Sequence, residues 1–267
     1  MRNTLFKRYV LAFTLWTGVF ILSFFPFTWL FVRAEKSDFG WKKLASYVTY
    51  FREEEKDRRE NIHIAASLID GIVLQAYGDF SFNQTVGKRT EEAGFKQAKI
   101  IVKGEYVLGV GGGVCQVSTT LYNAALLTGL EVKEFHPHSL QVGYVPPSRD
   151  AMVSSHSDLR LFNPYDFPVL LQAKTFEGGL RVSFLGEGKI DEYAVISHSI
   201  AQIPPPPPVI KTGEREEVLR FERAGLKSEA YLERRKKGVL LSKKKLRMDE
   251  YLPTQAIIVK KIDKPHD

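Results

Sequence analysis

The chain of 267 residues contains one cysteine, Cys115, and it directly follows a glycine-rich run. The stretch Gly109-Val110-Gly111-Gly112-Gly113-Val114-Cys115-Gln116-Val117-Ser118-Thr119-Thr120-Leu121 reads as a tight loop entering a helix. Glycines admit positive φ and let a backbone approach a ligand closely. A cysteine at such a loop-to-helix junction lies at the positive end of the helix dipole, which favours the thiolate. That is the composition of a nucleophile. The same residues also fit a buried structural cysteine beside a turn. The loop is not a phosphate-binding loop, because no Lys-Ser/Thr pair follows the glycines in the required place.

A cysteine nucleophile needs a base within hydrogen-bond reach, and often a third group that orients the base. Of the six histidines, His266 is terminal, His198 lies beyond the central region and His63 falls in a helical pattern. His136 and His138 remain, on a loop after a short strand pattern, together with His156. Asp150 or Asp158 can orient an imidazole, and the Arg149 fork can hold a substrate carboxylate. The helical pattern puts Val117, Leu121, Ala124 and Ala125 on an apolar face and Cys115, Ser118, Thr119 and Tyr122 on another. Either His136 or His138 could reach Cys115 from that loop. The expected substrate-binding set is Gly112, Gly113, Gln116, Ser118, Thr119, Tyr122, His136 and Arg149. His-Pro-His plus a cysteine also matches three ligands of an open zinc site. No cofactor and no metal are assigned.

The elements that would position these groups are α and β mixed. Asn61 to Leu74 reads as a helix leading into a strand. A turn at Gly78 precedes a short strand with Ser81 and Asn83 facing outward. Ala98 to Val102 and Tyr106 to Leu108 are strand patterns around Gly104. Gly129 is a helix C-cap. Leu130 to Phe135, Leu159 to Asn163, Val169 to Ala173 and Leu180 to Leu185 alternate as strands, with a hairpin turn at Glu177-Gly178-Gly179.

Tyr9 to Val32 is uncharged over 24 residues, follows Arg2, Lys7 and Arg8, and lacks a small-residue cleavage site. It reads as an uncleaved transmembrane anchor with the remaining chain outside. Trp41, Leu44, Tyr47, Val48 and Phe51 recur at three- and four-residue spacing, which predicts a helical stalk over 34–58. Pro204 to Pro208 predicts a stiff polyproline linker. From Lys211 onward the chain holds 16 Lys/Arg against 10 Asp/Glu, nearly all of the overall net charge of +7. Glu216 to Glu222 and Ala256 to Lys260 read as edge strands there, and Arg234 to Lys237 and Lys243 to Lys245 are basic clusters. A single cysteine excludes an internal disulfide framework.

The run from Gly111 to Ala124 resembles the signature of the VanW domain. So do Phe80-Ser81-Phe82-Asn83 with Val86-Gly87, His138-Ser139, Tyr144-Val145-Pro146-Pro147 and Arg149-Asp150-Ala151. Cys115 matches the family cysteine and His138 the family histidine, so the expected catalytic set is Cys115, His138 and Asp150. Ser148 stands where glycine is frequent, and Tyr77 where proline is usual. The resemblance implies L,D-transpeptidase-like chemistry on peptidoglycan stem peptides. The region from Lys211 resembles small β-rich G5 modules.

The expectation is therefore an α+β fold with a transmembrane anchor over 1–33 and a stalk over 34–58. A VanW-type domain with a mostly antiparallel sheet spans 59–190. A Pro-rich linker spans 191–210 and a small basic β-rich appendage 211–267. The expected protein is a single-pass membrane protein with its C-terminal part extracytoplasmic. Its expected partners are peptidoglycan and, through the N-terminal helix, the bacterial membrane, and not nucleic acid. A non-catalytic wall-binding module is the alternative, and a zinc protein the third.

Overall fold

The computed structural model describes residues 40–102 and 104–261. The expected membrane anchor lies outside the described residues. Among those residues, no helix is long and apolar enough to cross a membrane.

In chain order the elements are β1 (Lys42–Tyr50), α1 (Lys56–Ile69), β2 (Val73–Leu74), β3 (Asp79–Ser81) and α2 (Phe82–Val86). The hairpin β4 (Gln97–Val102) and β5 (Glu105–Val110) leads through the glycine turn into α3 (Val114–Thr128). Then come β6 (Glu131–Glu134), β7 (Arg160–Phe162), β8 (Val169–Phe176) and β9 (Gly179–Gly186). The last part is β10 (Glu192–Ile203), β11 (Val209–Gly213), β12 (Glu217–Arg220), β13 (Gly225–Lys236), β14 (Val239–Tyr251) and β15 (Ile257–Lys261). The sheets are β1-β9-β8-β2, β10-β13-β14, β11-β15-β12, β3-β7-β6 and the β4-β5 ribbon. All pairings are antiparallel except β11 with β15. The fold is α+β with mostly antiparallel sheets, as expected.

Helix α3 is the centre. It is buried on nearly every face because β1, β9, β10, β6 and α1 all pack against it. Val117, Leu121, Ala124 and Ala125 are fully buried, alongside Ile62 and Ile69 of α1 and Leu171, Val182 and Phe184 of the main sheet. Burying a Leu- or Phe-sized side chain stabilises by about 1.5–3 kcal/mol, so this cluster carries most of the packing. Gly129 ends the helix in the left-handed region at φ 75°.

Four expectations are corrected. The stalk is not helical through its apolar stripe, since Leu44, Tyr47 and Val48 lie in β1, paired along β9 with a bulge at Lys43/Ala45. β-branched and aromatic residues suit a pleated, half-buried surface, and the available sheet edge outweighs the three-four spacing. The helix begins only at Lys56. The span 191–210 is not a free linker: Glu192–Ile203 is a twelve-residue strand paired with β13, and the prolines only join β10 to β11. Ala256 to Lys260 was read as an edge strand, yet β15 is the middle strand of its sheet. Ser81 is buried and caps α2 by accepting the Gln84 N–H, so it does not face outward. Much of the basic excess is ion-paired along and across β13 and β14, as in Lys245–Glu229 at 2.7 Å and Arg235–Glu233 at 2.8 Å. These pairs lie at the surface, where solvent and salt screen them, so they add little to stability.

The glycine turn is held by close packing. Gly111 and Gly113 have φ of 84° and 107°. A β-carbon on Gly112 would fall 2.7 Å from the Ala98 backbone carbon and 2.7 Å from the Lys99 carbonyl oxygen, both in β4. Gly112→Ala is expected to lower folding stability by about 1–3 kcal/mol, the usual cost of overpacking. Urea denaturation measures it, and an unchanged midpoint would mean that the hairpin yields.

Candidate active site

Cys115 is the second residue of α3, half-buried, with Sγ 3.4 Å from the Val153 carbonyl oxygen. It opens onto a cleft of about 1250 Å³ walled by the glycine turn, the β4–β5 ribbon and the segments around His138 and Val153. His138 is 6% exposed. Its Nδ1–H donates to Asp150 Oδ2 at 2.8 Å, and its backbone N–H donates to the same oxygen at 2.7 Å. Nε2 is the imidazole nitrogen not held by Asp150, and His138 and Cys115 act on each other's titration.

The three titrations point one way. Burial raises the Cys115 thiol, but the His138 hydrogen bond and charge outweigh it, with Arg89 contributing, so the thiol lies below its ordinary value. Burial lowers His138, but the bonds to Asp150 and Cys115 prevail and raise it to about 9. Burial raises Asp150, but His138, the Arg247 charge and Tyr251 bring it to about 2. These shifts favour a thiolate–imidazolium pair backed by a carboxylate, the state a cysteine nucleophile needs. His138 holds its proton more tightly folded than unfolded, so its stabilisation is complete below about pH 6.5 and is lost as pH rises through about 9. Asp150 contributes stability above about pH 3.9 that is lost as pH falls through about 2.

Asp150 is 1% exposed. Besides His138, its Oδ1 accepts the Tyr251 hydroxyl at 2.6 Å and the Arg247 Nη2–H at 3.1 Å. Arg247 also donates to the Asp150 carbonyl oxygen, and through Nε to Asp249 Oδ2 at 2.6 Å. The Tyr251 hydroxyl accepts the Ser148 N–H at 2.7 Å. Ser148 itself is buried at φ 58°, with its hydroxyl 2.7 Å from that of Ser228. Strand β14 thus supplies two side chains to the third member of the site.

The other expected site residues divide. Gly112 and Gly113 line the cleft beside Cys115. Gln116 lines it too, but its amide is fully engaged with Thr49 Oγ1, the Tyr50 carbonyl and Arg58 Nη2. Ser118, Thr119 and Tyr122 are buried and do not face the cleft. Ser118 Oγ donates to the Ala151 carbonyl at 2.6 Å, and Thr119 Oγ1 accepts the Ala151 N–H at 2.9 Å, so they hold the strap that carries Asp150. Tyr122 packs on Phe135, with ring centroids 5.5 Å apart. Arg149 points away from the cleft: its Nε–H donates to Asn123 Oδ1 at 2.9 Å, and its guanidinium covers the Tyr47 ring. His136 turns to Glu134, 2.9 Å away, and pairs by backbone with Met152. His156 bonds the Ser155 hydroxyl, and Asp158 bonds the Ser81 hydroxyl and the Asn83 N–H. Among the described residues, no group of three or more His, Cys, Asp and Glu gathers to hold a metal.

Sequence reasoning missed Arg58, Arg89, Tyr144, Arg247 and Tyr251. Arg58 and Arg89 enter the cleft from α1 and from the loop after α2, and Arg58 stacks over Tyr144. The Tyr144 hydroxyl is raised well above its ordinary value, first by burial and then by the thiolate charge. Tyr144 lay inside a motif already noted. Nothing local marks Arg247 or Tyr251, which stand about 100 positions from Asp150.

A half-buried cysteine at a helix N-terminus, a histidine and a buried aspartate define a Cys-His-Asp site on an α+β domain. Residues 57–185 match the family model described as VanW like protein. The uncharacterized protein YoaR of Bacillus subtilis (strain 168) is 43% identical over 167 residues, covering 62% of this chain and 53% of YoaR. The chain therefore spans about half the length of that relative. A solved structure, the crystal structure of HP0197-G5, matches 26% of this chain and 97% of its own at 17% identity. Its TM-score of 0.15 carries no argument about the fold.

Two outcomes test this geometry. The pH midpoint for alkylation of Cys115 by iodoacetamide is expected to lie below that of free cysteine. His138→Gln should move the midpoint up toward the free-cysteine range near 8.5. Equal midpoints would remove the ion pair. Arg247→Met leaves Asp150 buried with one charge partner fewer and is expected to cost about 3–5 kcal/mol. Denaturant titration reads that loss, and a change under about 1 kcal/mol would show that His138 and Tyr251 suffice.

Proposed function

We propose that the protein is a cysteine acyltransferase of the bacterial cell wall, acting on peptidoglycan stem peptides in the manner of an L,D-transpeptidase. The observation that carries this reading is the Cys115–His138–Asp150 alignment in a cleft large enough for a peptide. The Cys115 thiolate attacks an amide carbonyl carbon of the stem, and the C–S bond forms. The oxyanion develops beside the N-terminus of α3 and the glycine turn, where preorganised backbone dipoles favour negative charge. His138 passes its proton from Nε2 to the departing nitrogen, the C–N bond breaks and a thioester remains. An amine of a second stem, deprotonated by the same imidazole, resolves it. Asp150 keeps the imidazole in the required tautomer throughout.

The uncharged run Tyr9 to Val32 supports the further reading that the chain is held at the membrane with this site outside. The VanW match of residues 57–185 fits a wall-facing role.

The test is incubation of the purified protein with defined muropeptides, followed by intact-mass spectrometry. An acyl adduct on Cys115 and cross-linked product are expected, and both should disappear in Cys115→Ala with an unchanged circular dichroism spectrum. Cross-linking that persists in Cys115→Ala would sink the reading.

A further inference from the structure

Arg89 stands in the cleft without an anionic partner. Its Nη2–H donates to Asn83 Oδ1 at 2.5 Å and its Nη1–H to the Ser154 carbonyl oxygen at 3.3 Å. Both acceptors are neutral. The Nε atom is buried with no hydrogen-bond partner. Among the described residues, no carboxylate lies within ion-pair distance of this guanidinium. The carboxylate whose charge reaches it, Asp158, is taken up by the Ser81 hydroxyl and the N–H groups of Asn83 and Leu159. The other such charge is Cys115. Arg89 also packs against the glycine turn, since a β-carbon on Gly111 would sit 3.1 Å from its Cβ.

Burying a guanidinium is costly unless it is paired. Burial indeed weakens the hold of Arg89 on its proton. Arginine presents a rigid planar fork suited to carboxylates, and here both Nη groups meet only neutral acceptors while the Nε–H meets none. The surrounding cleft is cationic, with Arg52, Arg58, Lys88 and Lys99 against Glu55. Arg89 and Cys115 line the same cleft, and the charge of each reaches the other.

We propose that Arg89 anchors a carboxylate of the substrate, namely the α-carboxylate of the residue released when Cys115 is acylated. The site then takes peptides at a free C-terminal end. This rests on the acyltransferase reading above. The thiolate sulfur bonds to the carbonyl carbon of the preceding residue, and the C–N bond to the terminal residue breaks. The His138 proton goes to that nitrogen, and the terminal amino acid departs with its carboxylate intact. A peptide whose terminus is amidated keeps the scissile bond but loses the anchor.

The experiment has two arms on the full chain. In the first, Cys115 is alkylated by iodoacetate and by iodoacetamide, and the rate ratio is compared with that of glutathione. A charge-assisted hydrogen bond is worth about 1.5–3 kcal/mol, so a preference for the anion of about tenfold or more is expected. Arg89→Gln should bring the ratio to the glutathione value, and Arg89→Lys should keep part of it, with unchanged melting curves for both. Lys88→Gln tests the general field, and a loss equal to that in Arg89→Gln would overturn the anchor. In the second arm, stem tetrapeptides ending in a free acid or an amide compete for acylation of Cys115. Preference for the acid, lost in Arg89→Gln, is expected. Equal use of acid and amide overturns the proposal while leaving the acyltransferase intact. An Arg89-dependent iodoacetate preference with no acylation by either peptide leaves the anchor and removes the acyltransferase.

Discussion

The carboxylate of Asp150 is the constraint around which the structure closes. An isolated buried carboxylate is among the costliest groups to take out of water. Here it accepts two bonds from His138, one from Tyr251 and one from Arg247. The histidine comes from the loop after β6, and the other two come from β14, more than ninety residues further along the chain. None of these groups is satisfied without the others. The imidazole is therefore aligned toward Cys115 only when the β13–β14 hairpin is docked. The C-terminal strands are part of the site's foundation, although none of their side chains enters the cleft.

The same economy explains the polar face of α3. A helix buried on most sides is expected to be apolar, yet Ser118, Thr119 and Asn123 are fully buried. Their side chains bond the backbone of Arg149 and Ala151, and Asn123 also receives the Arg149 guanidinium. A strap without regular secondary structure has backbone groups that need partners once water is gone. The helix provides them. This fixes Asp150 against β14 on one side and Val153 against Cys115 on the other. Substrate access is left to the end of the helix, where the glycine turn keeps side chains out.

Local signals carried much of this into the sequence. The glycine turn, α3 with its Gly129 cap, the β4–β5 ribbon and the β8–β9 hairpin each depend on residues within about 20 positions, and each was legible. Cys115 stood out as the one cysteine, while the residue types left His136 beside His138 and Asp158 beside Asp150, and the resemblance of His138-Ser139 to the VanW signature singled out His138. What was misread depends on distant partners. The stripe at Leu44, Tyr47 and Val48 has helical spacing, and only the edge of β9 decides that it is a strand. The prolines suggested a spacer, while the strand before them is fixed by β13. Ser118, Thr119 and Arg149 have the chemistry of ligand contacts, and only the fold shows that the protein itself uses them. Arg89 and Arg247 are ordinary arginines in sequence, distinguished by what burial deprives them of or supplies.

Charge balance across the reaction ties these elements together. In the resting state of the proposed reaction the thiolate is held by the imidazolium, the helix N-terminus and Arg89, while Asp150 is matched by His138 and Arg247. Arg247 is shared with Asp249, so the two carboxylates, Arg247 and the imidazolium sum to zero while His138 keeps its proton. In the proposed reaction acylation turns the thiolate into a neutral thioester and the imidazolium into a neutral base, and that cluster is left with one negative charge. Arg89 is then the one cation of the trio left without its anion. A substrate that brings its own carboxylate supplies the missing charge as the thiolate charge disappears. The cationic wall of the cleft is then balanced at every stage, by the protein's own sulfur before acylation and by the peptide's terminus during it.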